Sequence, residues 1–201
     1  MLKKIVKKWV ESGLRLRGYE LKEISAPMRG YRACLEYAKS RGLAPRTVFD
    51  VGVGRGTPWL YDAFPSSKLV LFEPLAVFAA ELDALSRQYS ADVHRVALSN
   101  APGVAEFNLN TGYPTSSSLL DMDPRFASFA VKVQGDHRFE RQTVTLDTLD
   151  KLNRYEPPFV LKLDVEGSEL DALEGLGSLI DDVGVIVGEL HERMVDEQRF
   201  Y

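Results

Sequence analysis

The stretch Thr47 to Pro58, TVFDVGVGRGTP, constrains the fold of this chain more than any other. Its apolar run, Val48, Phe49 and Val51, reads as a buried strand of a parallel sheet. The chain then turns through Gly52, Gly54 and Gly56, and Thr57-Pro58 reads as a helix N-cap followed by proline at the first helical position. Strand, glycine turn and helix start in this order let a backbone approach a nucleotide-like ligand closely, because few Cβ atoms stand in the way. The plainer alternative is a tight turn with no ligand.

The rest of the chain continues the pattern. A helix runs from the turn to about Phe64, and Lys68 to Phe72 is a second apolar strand ending at Glu73 and Pro74. Leu75, Phe78, Ala79, Leu82 and Leu85 form a helical stripe, and a third strand is expected over about Val93 to Leu98. Val104 to Leu109 reads as a return strand, and NTGYPTSSS as a polar loop unable to bury itself. The region from Asp121 to Glu140 lacks periodicity, and long irregular segments of this kind tend to be lids or substrate loops. Gln142 to Leu146 alternates as a strand, and Asp147 to Leu152 is a short helix. Phe159 to Leu163 is a fourth buried strand, followed by a capping-box pattern at Ser168 and Asp171 and an apolar stripe of Leu170, Leu173 and Leu176. Val183 to Val187 makes a fifth strand. The expectation is an α/β fold: a doubly wound, mainly parallel sheet with a β-hairpin and loop insertion between strands 3 and 4.

Ahead of this core, Leu2, Ile5, Val6, Trp9 and Val10 share one helical face, with Lys3, Lys4, Lys7 and Lys8 mostly around the other side. Such a helix lies on an anionic membrane surface or packs across the domain, and the sparse further basic support favours packing. A second helix is expected from about Arg29 to Ser40, stopped by Gly42 and Pro45. With 201 residues and no linker, the chain reads as one domain, a helical segment over 1–45 and a ligand-binding core over 46–201. A formal charge of -4 argues against broad nucleic-acid binding. The single cysteine, Cys34, excludes an intrachain disulfide, and no apolar run spans a bilayer, so the expected location is cytoplasmic.

In an open parallel sheet, ligands bind beyond the carboxyl ends of the strands, where the winding reverses. The residues at those ends are Gly52, Glu73, Ala97 to Ser99, Asp164 and Glu189. A carboxylate at Glu73 can accept both hydroxyls of a ribose, and Ala97, Leu98 and Ser99 can flank an adenine. Dinucleotide binding wants G-x-G-x-x-G, whereas this turn has glycine at every second position, preceded by Asp50. An acid there attracts the ammonium and sulfonium of S-adenosylmethionine, or it hydrogen-bonds the turn itself. The D-x-G-x-G-x-G pattern resembles motif I of the class I S-adenosylmethionine methyltransferases.

Taken in order, TVFDVGVGRGT, LVLFEP, VALSN with G-x-A-E-F-N-L, SSSL, VTLDTL, FVLKLDVEGSELDALEGL and VIVGELH resemble the FkbM family of methyltransferases, over about Val48 to His191. The resemblance implies a Rossmann-like methyltransferase fold and methylation of hydroxyl oxygens, commonly on sugars or polyketide-type molecules. By the family pattern Asp50, Gly52, Gly54 and Glu73 bind the methyl donor, with Gly56 completing the turn. Asp164 and Glu166 lie where cofactor and acceptor meet. Arg55 departs from the pattern, standing where relatives often carry asparagine. The chain ends soon after the fifth strand, so coverage of that edge by the N-terminal helices or a second subunit is expected.

An alcohol is a poor nucleophile at neutral pH, so a base within hydrogen-bond reach helps, and Asp164, Glu166 and His191 are the candidates. Asp164 and Glu166 alternate, so in a continuing strand both would point to one face. Such a pair can also hold magnesium with Glu189, but orienting substrate and capping the next helix is the preferred reading, with no metal. Lys162 is expected to pair with one of these acids, and Tyr113 with Ser116 to Ser118 to line an acceptor pocket. The competing readings are a protein that binds S-adenosylmethionine without turnover, as a scaffold or partner-binding subunit, and an NAD-dependent oxidoreductase.

Overall fold

The computed structural model of the protein describes residues 30–120, 139–152 and 154–188. In chain order the elements are α1 (Tyr31–Ser40), β1 (Thr47–Val51), α2 (Pro58–Ala63), β2 (Lys68–Phe72), α3 (Ala79–Tyr89) and β3 (Asp92–His94). There follow β4 (Ala97–Leu98), β5 (Gly103–Asn110), β6 (Phe139–Asp147), β7 (Phe159–Leu163), α4 (Glu169–Glu174) and β8 (Val183–Gly188). Short 3-10 turns occupy Ala76–Phe78, Pro114–Ser116, Leu149–Leu152 and Gly177–Asp182.

Five strands form an all-parallel sheet in the order β3-β2-β1-β7-β8. The winding runs outward one way from β1 through β2 to β3, then returns to the other side of β1 with β7, so the order reverses between β1 and β7. Every residue of β1 and β7 is buried, as in central parallel strands, Asp50 and Lys162 included. Alternate side chains feed two cores. On one face Val48, Leu69, Leu71 and Val160 pack with Leu35 of α1, Leu60 of α2 and Leu82 of α3. On the other, Phe49, Val70, Phe72 and Leu161 pack with Leu98, Tyr155, Ala172 and Leu176. A parallel sheet covered on both sides is the doubly wound, Rossmann-like architecture expected from the pattern.

The insertion is a second sheet, β4-β6-β5, in which β5 and β6 form a long antiparallel pair and β4 joins β6 in parallel. Its presence corrects one expectation. The run Val93 to Leu98 is not a single strand: β3 ends at His94 in the main sheet, and β4 begins at Ala97 in the second. Between them Arg95 turns outward to an ion pair with Asp83 of α3 at 2.7 Å, which a strand buried on both faces could not accommodate.

Three local expectations also change. The Asp147–Leu152 helix is a single 3-10 turn from Leu149. Leu170 is 61% exposed, and α4 instead buries Ala172, with Leu176 beyond its end. The capping box at Ser168 does not form, because Glu166 and Gly167 both enter α4 with left-handed φ values of 54° and 104°. Glu169 Oε1 accepts the Gly167 N–H at 3.0 Å in its place. The lysine-bearing helix expected over residues 2–10, the irregular stretch from Asp121 and the strand-end residues Glu189 and His191 lie outside the described residues. Among the described residues no helix is long and apolar enough to cross a membrane.

Candidate active site

The glycine turn sits at the carboxyl end of β1. Gly52, Gly54 and Gly56 have φ values of +76°, +53° and +101°, a left-handed run that glycine adopts without the steric cost borne by other residues. Gly52 is held closest: a Cβ there would meet the Asp164 carbonyl oxygen at 1.9 Å. Its N–H donates to Phe72 O at 3.0 Å, and the Asp164 N–H donates to Val51 O at 3.1 Å, so the turn is locked between β2 and β7. At the start of α2 the Thr57 side chain makes no capping bond, and the Thr57 carbonyl instead accepts the Leu60 and Tyr61 N–H groups.

Glu73, at the end of β2, is only 5% exposed and turns toward the glycines. Its Oε2 accepts the Gly54 N–H at 2.9 Å and its Oε1 the Leu75 N–H at 3.0 Å. Burial pushes this carboxyl up from its usual range, and the two N–H donors and the nearby Lys162 partly oppose that. A carboxylate has about four lone-pair sites, so each oxygen retains room for a further donor.

Asp50 takes a different place. It has no exposed surface and is not among the residues lining the cleft. It stands in register with Lys162 of β7. Its Oδ2 accepts a hydrogen bond from the Tyr61 hydroxyl, and its Oδ1 lies 3.1 Å from the Lys162 ammonium, an ion pair without hydrogen-bond angles. Burial, with the Asp50 carboxylate beside it, pushes the Tyr61 phenol well up. Lys162 also donates to the carbonyls of Gly52 and Val51, and its ammonium is 3.7 Å from Asp164. This network underpins the turn from below. Replacing Lys162 with methionine leaves a buried carboxylate unpaired and lowers stability by about 3–5 kcal/mol. Urea unfolding checks this, with most of the loss recovered in the double variant Asp50→Asn, Lys162→Met.

Above the turn opens a cleft of about 320 Å³, within the usual range for small-molecule sites. It brings together Gly52, Gly54, Gly56, Glu73, Ala97, Leu98, Asp164 and Glu166. Ser99 is buried beside it but does not line it, its N–H being bonded to Asp147 O at 2.9 Å. The alternation argument for Asp164 and Glu166 fails, since the strand stops at Leu163 and the chain turns at Glu166. Both nevertheless reach the cleft, Asp164 with its side chain 42% exposed. Among the described residues no group of three His, Cys, Asp or Glu is placed to hold a metal ion.

The polar loop does bury part of itself. Asn110 is fully buried, its Oδ1 accepts the N–H groups of Gly112 and Tyr113 at 3.1 Å each, and its own N–H donates to Ser117 Oγ at 2.9 Å. Folded this way, the loop brings Thr115 and Ser117 to the cleft, while Tyr113 does not line it and is 45% exposed. Ser118 Oγ donates to Glu166 O at 2.6 Å, tying the loop to the acidic turn. Two further lining residues were missed, Tyr31 and Trp59, whose rings stack at 4.9 Å and 9°. A tryptophan three residues past Gly56 was the available signal for the second.

An open parallel sheet with a glycine turn and a strand-end acid at its reversal point is the Rossmann-like arrangement of the class I methyltransferases. The chain belongs to the FkbM methyltransferase family, whose domain, described as Methyltransferase FkbM domain, matches residues 50–201. It is 28% identical over 225 residues to the AMB antimetabolite synthetase AmbE of Pseudomonas aeruginosa, covering 92% of this chain and 10% of that protein. It is 30% identical over 93 residues to the hexuronic acid methyltransferase AglP of Haloferax volcanii, covering 45% of this chain and 38% of that one. The chain thus spans well under half the length of either relative. No solved structure matches it significantly.

Proposed function

We propose that this protein transfers a methyl group from S-adenosylmethionine to a hydroxyl oxygen of a small molecule or glycan, a sugar or a polyketide-type acceptor, and that residues 1–201 act as one methyltransferase domain. The observation that carries this reading is the placement of Glu73 and the glycine turn on one cleft, with Asp164 and Glu166 lining the same space. The residues fit such a donor. The close approach at Gly52 provides an open backbone cradle, and the spare acceptor capacity of Glu73 suits the two hydroxyls of a ribose. Ala97 and Leu98 offer apolar surface for a base. Asp50 supports the donor indirectly, by neutralising Lys162 beneath the turn.

S-adenosylmethionine, when bound, supplies a methyl group activated by its sulfonium. Asp164 accepts the proton of the acceptor hydroxyl as its oxygen becomes the nucleophile, and Glu166 orients that hydroxyl. Most of the acceleration comes from holding the acceptor in line and excluding water, a task for the loop carrying Thr115 and Ser117. That AglP is named for hexuronic acid places sugars among the first acceptors to try.

Calorimetry tests the donor. S-adenosylmethionine and S-adenosylhomocysteine bind and NAD does not, and Glu73→Ala weakens both by about tenfold to a hundredfold through loss of hydrogen bonds to a charged group. Preference for NAD would overturn the reading. Incubating glycans, uronic acids included, with radiolabelled S-adenosylmethionine then identifies the acceptor.

A further inference from the structure

We propose that Arg55 is the carboxylate subsite of the cleft, and that its ligand is the amino-acid carboxylate of the methyl donor. The inference rests on the donor being S-adenosylmethionine, and it follows from an inventory of charge around the cleft. Among the described residues five charged side chains line it: the acids Glu73, Asp164 and Glu166, and the cations Lys162 and Arg55. Lys162 is buried and committed to Asp50 at 3.1 Å and to the Gly52 and Val51 carbonyls. Arg55 is exposed, and among the described residues it has no hydrogen bond or ion pair.

Its base is nevertheless fixed. Arg55 lies between Gly54, whose N–H is held by Glu73 at 2.9 Å, and Gly56, whose N–H is held by Val53 O at 2.8 Å. A guanidinium rising from a pinned turn is arranged to receive a ligand with little backbone reorganisation. The donor carries two positive groups and one carboxylate. The acids answer the positive groups and the ribose, and the carboxylate needs a cation that is not already spent. Guanidinium suits it, since its planar fork matches a carboxylate with two parallel hydrogen bonds.

The test compares two ligands on the full chain by calorimetry. S-adenosylhomocysteine carries the amino acid, whereas 5′-methylthioadenosine keeps the adenosine and sulfur but lacks it. Arg55→Gln weakens S-adenosylhomocysteine by about tenfold to a hundredfold, as for loss of a charge-assisted pair, and leaves methylthioadenosine unchanged. Arg55→Lys restores part of the loss, more at low salt than at high. Equal weakening of both ligands would overturn the inference by assigning Arg55 to the turn's shape. So would unchanged S-adenosylhomocysteine affinity with a raised KM for a uronic-acid acceptor, which would assign Arg55 to the acceptor's carboxylate. Tight binding of both ligands by the wild type without discrimination overturns the subsite but leaves the donor standing. Failure of the wild type to bind either overturns both.

Discussion

Gly52→Ala abolishes measurable S-adenosylhomocysteine binding, while Gly54→Ala only weakens it. The two positions look alike in sequence, and both have left-handed φ values, +76° and +53°. A non-glycine residue there costs about 1–2 kcal/mol in either case. What separates them is the neighbour. At Gly54 a new Cβ meets Thr115 Cγ2 at 3.5 Å, an ordinary contact. At Gly52 it would meet the Asp164 carbonyl oxygen at 1.9 Å and its carbon at 2.9 Å, and those are backbone atoms. They cannot retreat alone, because the Asp164 N–H is bonded to Val51 O and Gly52 N–H to Phe72 O. The ends of β1 and β7 must part, adding about 1–3 kcal/mol of overpacking to the backbone cost. Calorimetry with S-adenosylhomocysteine, alongside urea unfolding of both variants, checks the contrast. Equal behaviour of the two alanines would show that the close approach does not govern binding.

Asp164→Asn lowers turnover by about a hundredfold to ten-thousandfold, the range for loss of a general base, and keeps S-adenosylhomocysteine affinity within about threefold. Asparagine preserves the shape and the backbone contact with Gly52 but cannot take up the proton. Glu166→Gln has the smaller effect, expressed mainly in the acceptor's KM, because its assigned role is orientation. Glutamine and glutamate are isosteric, so the substitution adds no new steric cost at the left-handed φ of 54°. Radiolabel transfer to an identified acceptor measures both variants. Unchanged turnover in each would remove these acids from the chemistry.

The parallel core was legible because its signals are local and redundant. Apolar runs closed by Gly52, Glu73, Asp164 and Gly188 mark four of the five strands, and ligands gather at the edge where the strand order reverses. Glu73 could be assigned for the same reason, since the end of a strand has one address. Asp50 could not, because the pairing that removes it from the cleft joins it to Lys162, far along the chain, through the β1–β7 register. Only the register of two central strands puts that lysine underneath the turn. Asp164 and Glu166 reach the cleft for a reason other than the one their spacing offered: a left-handed residue bends the chain where continued alternation was expected. The polar loop was not legible because its composition favours solvent, whereas Asn110 is buried by three hydrogen bonds to Gly112, Tyr113 and Ser117 that composition does not reveal.

The ceiling and the floor of the cleft have separate structural ownership. The floor belongs to β1, β2 and β7 of the main sheet, while Thr115 and Ser117 descend from a hairpin joined to that sheet's chain through the two-residue strand β4. Substitutions at Thr115 or Ser117 therefore reshape the cleft without touching the strands that form its floor.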